Sequence, residues 1–159
     1  METIKQISVF LENKPGRLAN VLSALAREKV NITAMSVMDS HEHSVLRFVS
    51  GDMPKTLQVL KSLSTPHAEA EVLQVELRNQ PGALSHLCEL LAQEHVNIDY
   101  AYCSAGGRNG KTMGIFKVSN TEKAMRLLNG SATSPARRRQ PRRQLRARQS
   151  YQAPGGAAR

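Results

Sequence analysis

Two stretches of this chain bring together residue types suited to holding a small anion: Asn13-Lys14-Pro15-Gly16-Arg17-Leu18 and Asn79-Gln80-Pro81-Gly82-Ala83-Leu84. Each stands just before apolar residues at helical spacing. A helix N-terminus leaves backbone N–H groups unpaired and carries partial positive charge, which suits a carboxylate. Gly16 and Gly82 have no Cβ, so a ligand can approach those N–H groups closely. The amides of Asn13 and Asn79 both donate and accept hydrogen bonds. The first stretch adds Lys14 and Arg17, where the second has Gln80 and Ala83, so the first is better equipped for an anion. The bland alternative stands beside this: Pro-Gly at a strand–helix junction is also ordinary turn chemistry, and Lys14 and Arg17 serve equally as solvated surface charges.

Other candidate groups carry less. His41-Glu42-His43 has metal-binding residue types, but three successive residues at a hairpin tip read as an exposed turn. Cys88 and Cys103 are expected to fill core space as small hydrophobes. Tyr100 and Tyr102 share one face of a strand, placed to pack on a facing sheet or to touch a ligand side chain. There is no Ser/His/Asp set, paired-carboxylate motif or phosphate-binding Gly loop, so neither catalysis nor a cofactor is expected.

The elements that position these residues repeat. Residues 13–32 lie over 79–98 without a gap at an offset of 66, with ten of the twenty positions identical, which is enough to read two copies of one unit. Ile7, Val9 and Leu11 alternate with Gln6, Ser8 and Phe10, and Leu73, Val75 and Leu77 with Gln74 and Glu76, the pattern of a strand with one buried face. Leu18, Val21, Leu22 and Leu25 recur at helical spacing, as do Leu84, Leu87, Cys88 and Leu91. Pro15 and Pro81 suit the first helical turn. Strands over Asn31–Met38 and His43–Ser50, joined by a turn at Asp39–Glu42, match strands over Asn97–Ala105 and Lys111–Val118, joined by a loop with the hairpin signal Asn109-Gly110. Helices are expected near Met53–Leu63 and Thr121–Asn129, the second with a capping box at Ser119-Asn-Thr-Glu122. Only 15 residues separate Leu63 from Asn79, so one extended run, about Ala68 to Leu77, must serve both units.

Charge divides the chain again. Of 22 Lys+Arg and 13 Asp+Glu, residues 131–159 hold eight Arg and no acid, leaving residues 1–130 nearly neutral. That last segment is too poor in large apolar residues to bury a core face and is expected to be disordered. A solvated tail or the out-of-frame reading of a GC-rich coding sequence would both give such an end. Without it the basic character that points to nucleic acid disappears, and with aromatics at 4% there is poor material for base stacking, so specific nucleic-acid binding is not expected. No apolar run of membrane-spanning length and no secretory leader is visible, making cytoplasmic location the default expectation.

With both copies of Asn-x-Pro-Gly-x-Leu and of Val-Asn-Ile in view, residues from about Ile4 to Asn129 resemble tandem ACT-domain proteins. The resemblance is closest to stand-alone two-domain members and extends less closely to regulatory subunits of acetolactate synthase. It implies an α+β fold: two ferredoxin-like βαββαβ domains in tandem, antiparallel sheets with helices on one face. The domains are expected at 1–71 and 72–130, the second lacking an evident last strand. The resemblance implies a regulatory protein that binds a free amino acid between a strand–helix loop and the strands of a neighbouring domain. The implied contacts are the two loops, residues 13–18 and 79–84, with Asn31, Ile32, Asn97 and Ile98, which are expected near the same end of the sheet. Strands apolar on both faces predict a homodimer. A biosynthetic enzyme such as acetolactate synthase is the other expected partner.

Overall fold

Alternation decides which way the first strand faces. In the computed structural model, which describes residues 1–40, 43–104 and 111–131, Ile7, Val9 and Leu11 are buried on one side of β1 (Glu2–Glu12). The chain continues through α1 (Arg17–Arg27), β2 (Ile32–Ser40), β3 (His43–Ser50) and α2 (Met53–Ser62). A second round follows: β4 (His67–Arg78), α3 (Ala83–Gln93), β5 (Ile98–Ser104), β6 (Lys111–Val118) and α4 (Thr121–Ser131). These are the two expected strand–helix–strand–strand–helix rounds, and the extended run between them is β4. Residues beyond Ser131, the Asn109-Gly110 signal, His41 and Glu42 lie outside the described residues.

All six strands form one antiparallel sheet in the order β2-β3-β1-β4-β6-β5. β4 is both the last strand of the first unit and the first strand of the second. The place where the second unit's own last strand would lie, beside β4 and opposite β6, is filled by β1. The exchange is reciprocal in register. Shifting the pair Glu2↔Gln74 by the 66-residue repeat, forward on one strand and back on the other, gives Ser8↔Ala68, another pair of the same ladder. Lys5↔Glu71 maps onto itself and marks the pseudo-two-fold axis.

Each unit packs two helices on the same face of the sheet. Leu46 and Phe48 of β3 join Ile7 and Val9 under Val21, Leu25, Val59 and Leu60. Leu73, Val75, Phe116 and Val118 lie under Leu87, Leu91, Ala124 and Leu128. The other face is concave, because the sheet curls until its edge strands β2 and β5 approach each other. Ala34, Val49, Val72 and Ile115, from both units, form a third cluster there. The second apolar face seen in several strands is thus covered in part by the sheet itself. Met35, Val37 and Met38 of edge strand β2 remain 42–51% exposed.

The two units fill one equivalent position differently. Leu46 in the first has Gly114 as its counterpart in the second, and the Phe116 ring folds back over that glycine. A Cβ at Gly114 would stand 2.5 Å from Phe116 Cε2. Gly114→Ala therefore has to push a fully buried ring, and overpacking of this kind costs about 1–3 kcal/mol; a lowered midpoint in urea unfolding is the expected result.

Local chemistry corrects three expectations. The helices begin at Arg17 and Ala83, so Pro15 and Pro81 sit not in the first helical turn but in the preceding turn, where glycine follows at φ 84° and 87°. That sequence fits a type II turn, with Pro at its second position and Gly at its third. The cap of α4 is Asn120, whose Oδ1 accepts from the Lys123 N–H at 2.9 Å. Ser119 Oγ instead accepts from the Asn97 N–H at 3.0 Å, tying the start of β5 to the end of β6. Finally, β2 runs on through Ser40, so Asp39 and Ser40 belong to the strand rather than the turn.

Candidate functional site

At the end of β1 the chain leaves the sheet at Glu12 and turns through residues 13–16 into α1. Asn20 N–H bonds the Gly16 carbonyl at 2.9 Å and Arg17 N–H bonds that of Lys14 at 3.3 Å. The N–H groups of Leu18 and Ala19 have no backbone partner within the helix, and no side chain caps it. The second loop repeats this, with His86 N–H on Gly82 and Ala83 N–H on Gln80.

Beside the first loop lies an open cleft of about 520 Å³, within the range of small-molecule sites. Phe10, Leu11, Val21, Leu63 and Pro66 give it apolar walls, and Glu12, Arg17, Asn20, His43, Ser64 and Thr65 supply polar groups. The far wall is the α2–β4 connection, held to β1 by the Phe10 N–H on the Pro66 carbonyl at 3.0 Å. Glu12 is the electrostatic centre. Arg17 Nη2 lies 2.7 Å and Lys14 Nζ 3.3 Å from its Oε2. Hydrogen bonds from Arg17, and secondarily from Lys14, hold the Glu12 carboxyl below the usual carboxylate range. All three side chains are about half exposed or more, so the pairs are weak and exchangeable. An incoming ammonium can take Glu12 while an incoming carboxylate takes Arg17.

Of the residues expected to bind, Arg17 lines this cleft and Lys14 reaches it through Glu12. Asn13, Pro15 and Gly16 shape the turn, and Leu18 packs partly into the first core. Asn31 and Ile32 do not meet the loop. Ile32 pairs with Ser50 at one end of β3, whereas Glu12 pairs with His43 at the other. Helix α1 returns the chain to the starting end of β1, so β2 runs parallel to β1 and opens far from the turn. The Asn31 carbonyl accepts from the Gly51 N–H at 3.0 Å. Asn97 and Ile98 hold the same place in the second unit, and the Asn97 amide bonds Asp99 at 3.0 Å.

The second loop is differently dressed. Arg78 replaces Glu12 and Ala83 replaces Arg17, and Leu84 is 46% exposed. Gln80, Pro81 and Gly82 form the same turn. The segment equivalent to the far wall, Leu63–Pro66, begins at Ser131 and otherwise lies outside the described residues.

Glu12, Asn20, His43 and the Leu63–Pro66 wall were not expected from the sequence. Glu12 had a signal, since an acid five residues before Arg17 flanks the turn. His43 and the wall are brought in by strand pairing and by the α2–β4 connection, which a single chain does not announce. Of the cysteines, Cys88 packs partly against the second core, but Cys103 is exposed on edge strand β5, its thiol pushed up by partial burial and secondarily by Cys88. Among the described residues no group of three His, Cys, Asp or Glu is placed to hold a metal ion, and no helix is long and apolar enough to cross a membrane.

A family model described as ACT domain pair matches residues 2–131. Protein BT0572 from Bacteroides thetaiotaomicron is 32% identical, with TM-score 0.77 over 82% of this chain and 89% of that one. The regulatory subunit of aspartate kinase from Thermus thermophilus, in a ligand-free form, is 15% identical with TM-score 0.59, covering 82% and 97% of the two chains. Aspartokinase alpha and beta subunits match at 19% identity and TM-score 0.53, covering 83% and 97%. At these lower identities the last two speak for the fold alone. No curated protein matches the chain at significance.

Proposed function

We propose that this chain, which belongs to the ACT domain family as an ACT domain pair, is a regulatory protein that binds a free amino acid in the cleft beside its first strand–helix turn. The observation that carries this is the Glu12–Arg17 pair at the mouth of an apolar-walled cleft of about 520 Å³. Arg17 and the free N–H groups of Leu18 and Ala19 meet the α-carboxylate, Glu12 meets the ammonium, and the side chain rests on Leu11, Val21 and Leu63. The second loop, with Arg78 where an ammonium would need an acid, is the weaker site of the two.

Calorimetric titration of the purified protein with each of the twenty amino acids tests this. Saturable heat and a raised melting temperature with one ligand or a small group are expected. No heat and no thermal shift at millimolar ligand would reject the reading. Bound occupancy is read out through a homodimer or a biosynthetic enzyme. Sedimentation with and without ligand, and co-purification of a catalytic subunit, decide between them.

Acid dependence follows from Glu12. Its carboxyl lies below the usual range because Arg17 and Lys14 favour the charged form. It stays ionised while ordinary carboxylates protonate, so its contact with the ammonium is lost only as pH falls through that lowered value. Affinity in a Glu12-dependent site is expected to persist through the range where ordinary carboxylates protonate and to fall only at more acidic pH. Calorimetry over a pH series, repeated with Glu12→Gln, checks that this acid limb disappears with the carboxylate.

A further inference from the structure

We propose that the concave face of the sheet carries a second site, for a small monocarboxylate with an apolar body and no ammonium group, built on Arg47. In register across three strands, Ser8 of β1, Arg47 of β3 and Ser36 of β2 form one row on that face. Beneath it Gln6 is fully buried, its Nε2 donating to Tyr100 Oη at 2.8 Å and to Ser8 Oγ at 3.3 Å. Tyr102 donates its hydroxyl to Gln6 Oε1 at 3.0 Å. The Arg47 guanidinium lies 4.3 Å from the centre of the Tyr100 ring.

The Gln6 carbonyl is taken by Tyr102. Ser8 and Tyr100 accept from Gln6, which leaves their hydroxyl hydrogens to donate. Ser36 has no partner among the described residues. Arg47 is in none of the ion pairs among the described residues; its Nη1 rests on Met38 Sδ at 2.8 Å, and its buried Nε has no acceptor. The cluster is rich in donors and short of acceptors, with one uncompensated positive charge, and a carboxylate supplies both deficits. The same shortage disfavours an ammonium. Arg47, Ser8, Ser36 and Tyr100 are all partly exposed, so the donors are reachable.

The next row along the strands specifies the rest of the ligand. Phe10, which also borders the cleft, pairs with Val45, and Val45 pairs with Met38. This row is wholly apolar, with Phe10 44% and Met38 51% exposed, and it lies two residues, about 7 Å, from the arginine row. A carboxylate on Arg47 thus places a short apolar body over these side chains. The polar cluster is peculiar to one half of the molecule: the counterparts of Gln6, Arg47 and Tyr100 are Val72, Ile115 and Ala34, so the fold itself does not require it.

The test is amide NMR of the full chain titrated with phenylacetate. Saturable shifts at Ser8, Arg47 and Tyr100 are expected, with affinity in the millimolar range. Methyl phenylacetate and phenylalanine are expected to bind at least about tenfold more weakly. Arg47→Ile, which installs the residue of the other half, is expected to weaken phenylacetate at least about tenfold. Tyr100→Phe, which removes one donor and keeps the ring, is expected to weaken it a few-fold and decides the matter if the first variant does not fold. Arg17→Ala should leave phenylacetate binding unchanged, which separates this site from the cleft. The proposal is overturned by absence of saturation, by binding that survives Arg47→Ile in a folded protein, or by binding that Arg17→Ala abolishes. A dimer that Arg47→Ile dissociates, with no phenylacetate site, also overturns it and gives Arg47 to a second copy.

Discussion

Phe48→Ala is expected to unfold both halves of the molecule in one transition. Phe48 is fully buried between β3 and the helices of the first unit, and truncating such a ring costs about 3–5 kcal/mol. For a chain of this size that lowers the melting temperature by roughly 10–20 °C. The more telling expectation concerns the second unit, which Phe48 does not touch. β1 carries the core residues Ile7 and Val9 of the first unit and also borders β4 beneath the second. Loss of the first core frees β1 and exposes an edge of β4. Hydrogen exchange of β4 and β6 amides in Phe48→Ala should therefore accelerate together with that of β3. Undiminished protection of β6 after loss of β3 would show the halves to be independent. The reciprocal change, Phe116→Ala, should be felt equally in β3.

Arg17→Ala is expected to weaken amino-acid binding ten- to a hundredfold while leaving the empty protein nearly as stable as before. The asymmetry comes from exposure. Arg17 is 54% exposed and its partner Glu12 48%, so solvent screens their ion pair and it adds little to folding. A charge-assisted hydrogen bond to a ligand carboxylate, backed by the unpaired N–H groups of α1, is worth about 1.5–3 kcal/mol. Calorimetry and a thermal melt on the same sample measure both quantities. An unchanged affinity would remove Arg17, and with it the cleft, from the binding function. Weakening by Ala83→Lys, at the second loop, would instead direct attention to that loop.

Much of this architecture is legible in the sequence. The repeat, the Pro-Gly turns and the period-two and helical patterns are local, so they identify α1, α3 and β4 to within a residue or two, and β1 by its buried face though not by its start at Glu2. The shared strand β4 follows from counting: too few residues separate Leu63 from Asn79 for two. What could not be read was non-local. Nothing in a strand's own alternation says that the last strand missing from the second unit is supplied by β1. Nor does it say that Asn31 opens at the end of the sheet away from the turn, because that depends on β2 and β1 running parallel. The tyrosine face showed the same limit. Tyr100 and Tyr102 were visible as two aromatic residues on one face of a strand, but their partner Gln6 lies more than ninety residues away.

The self-mapping of Lys5↔Glu71 has one more consequence. Every pair of the β1–β4 ladder from Glu2↔Gln74 to Ser8↔Ala68 has a mate generated by the repeat. That is the rule of an isologous contact, in which residue i of one subunit meets j of the other and j meets i. The seam at the centre of this molecule therefore has the register that two identical short chains would adopt in associating about a two-fold axis, each lending its first strand to the other. Fusing such a pair head to tail needs only the link from α2 into β4. It also lets the halves differ: one has Glu12, Arg17 and Gln6 where the other has Arg78, Ala83 and Val72.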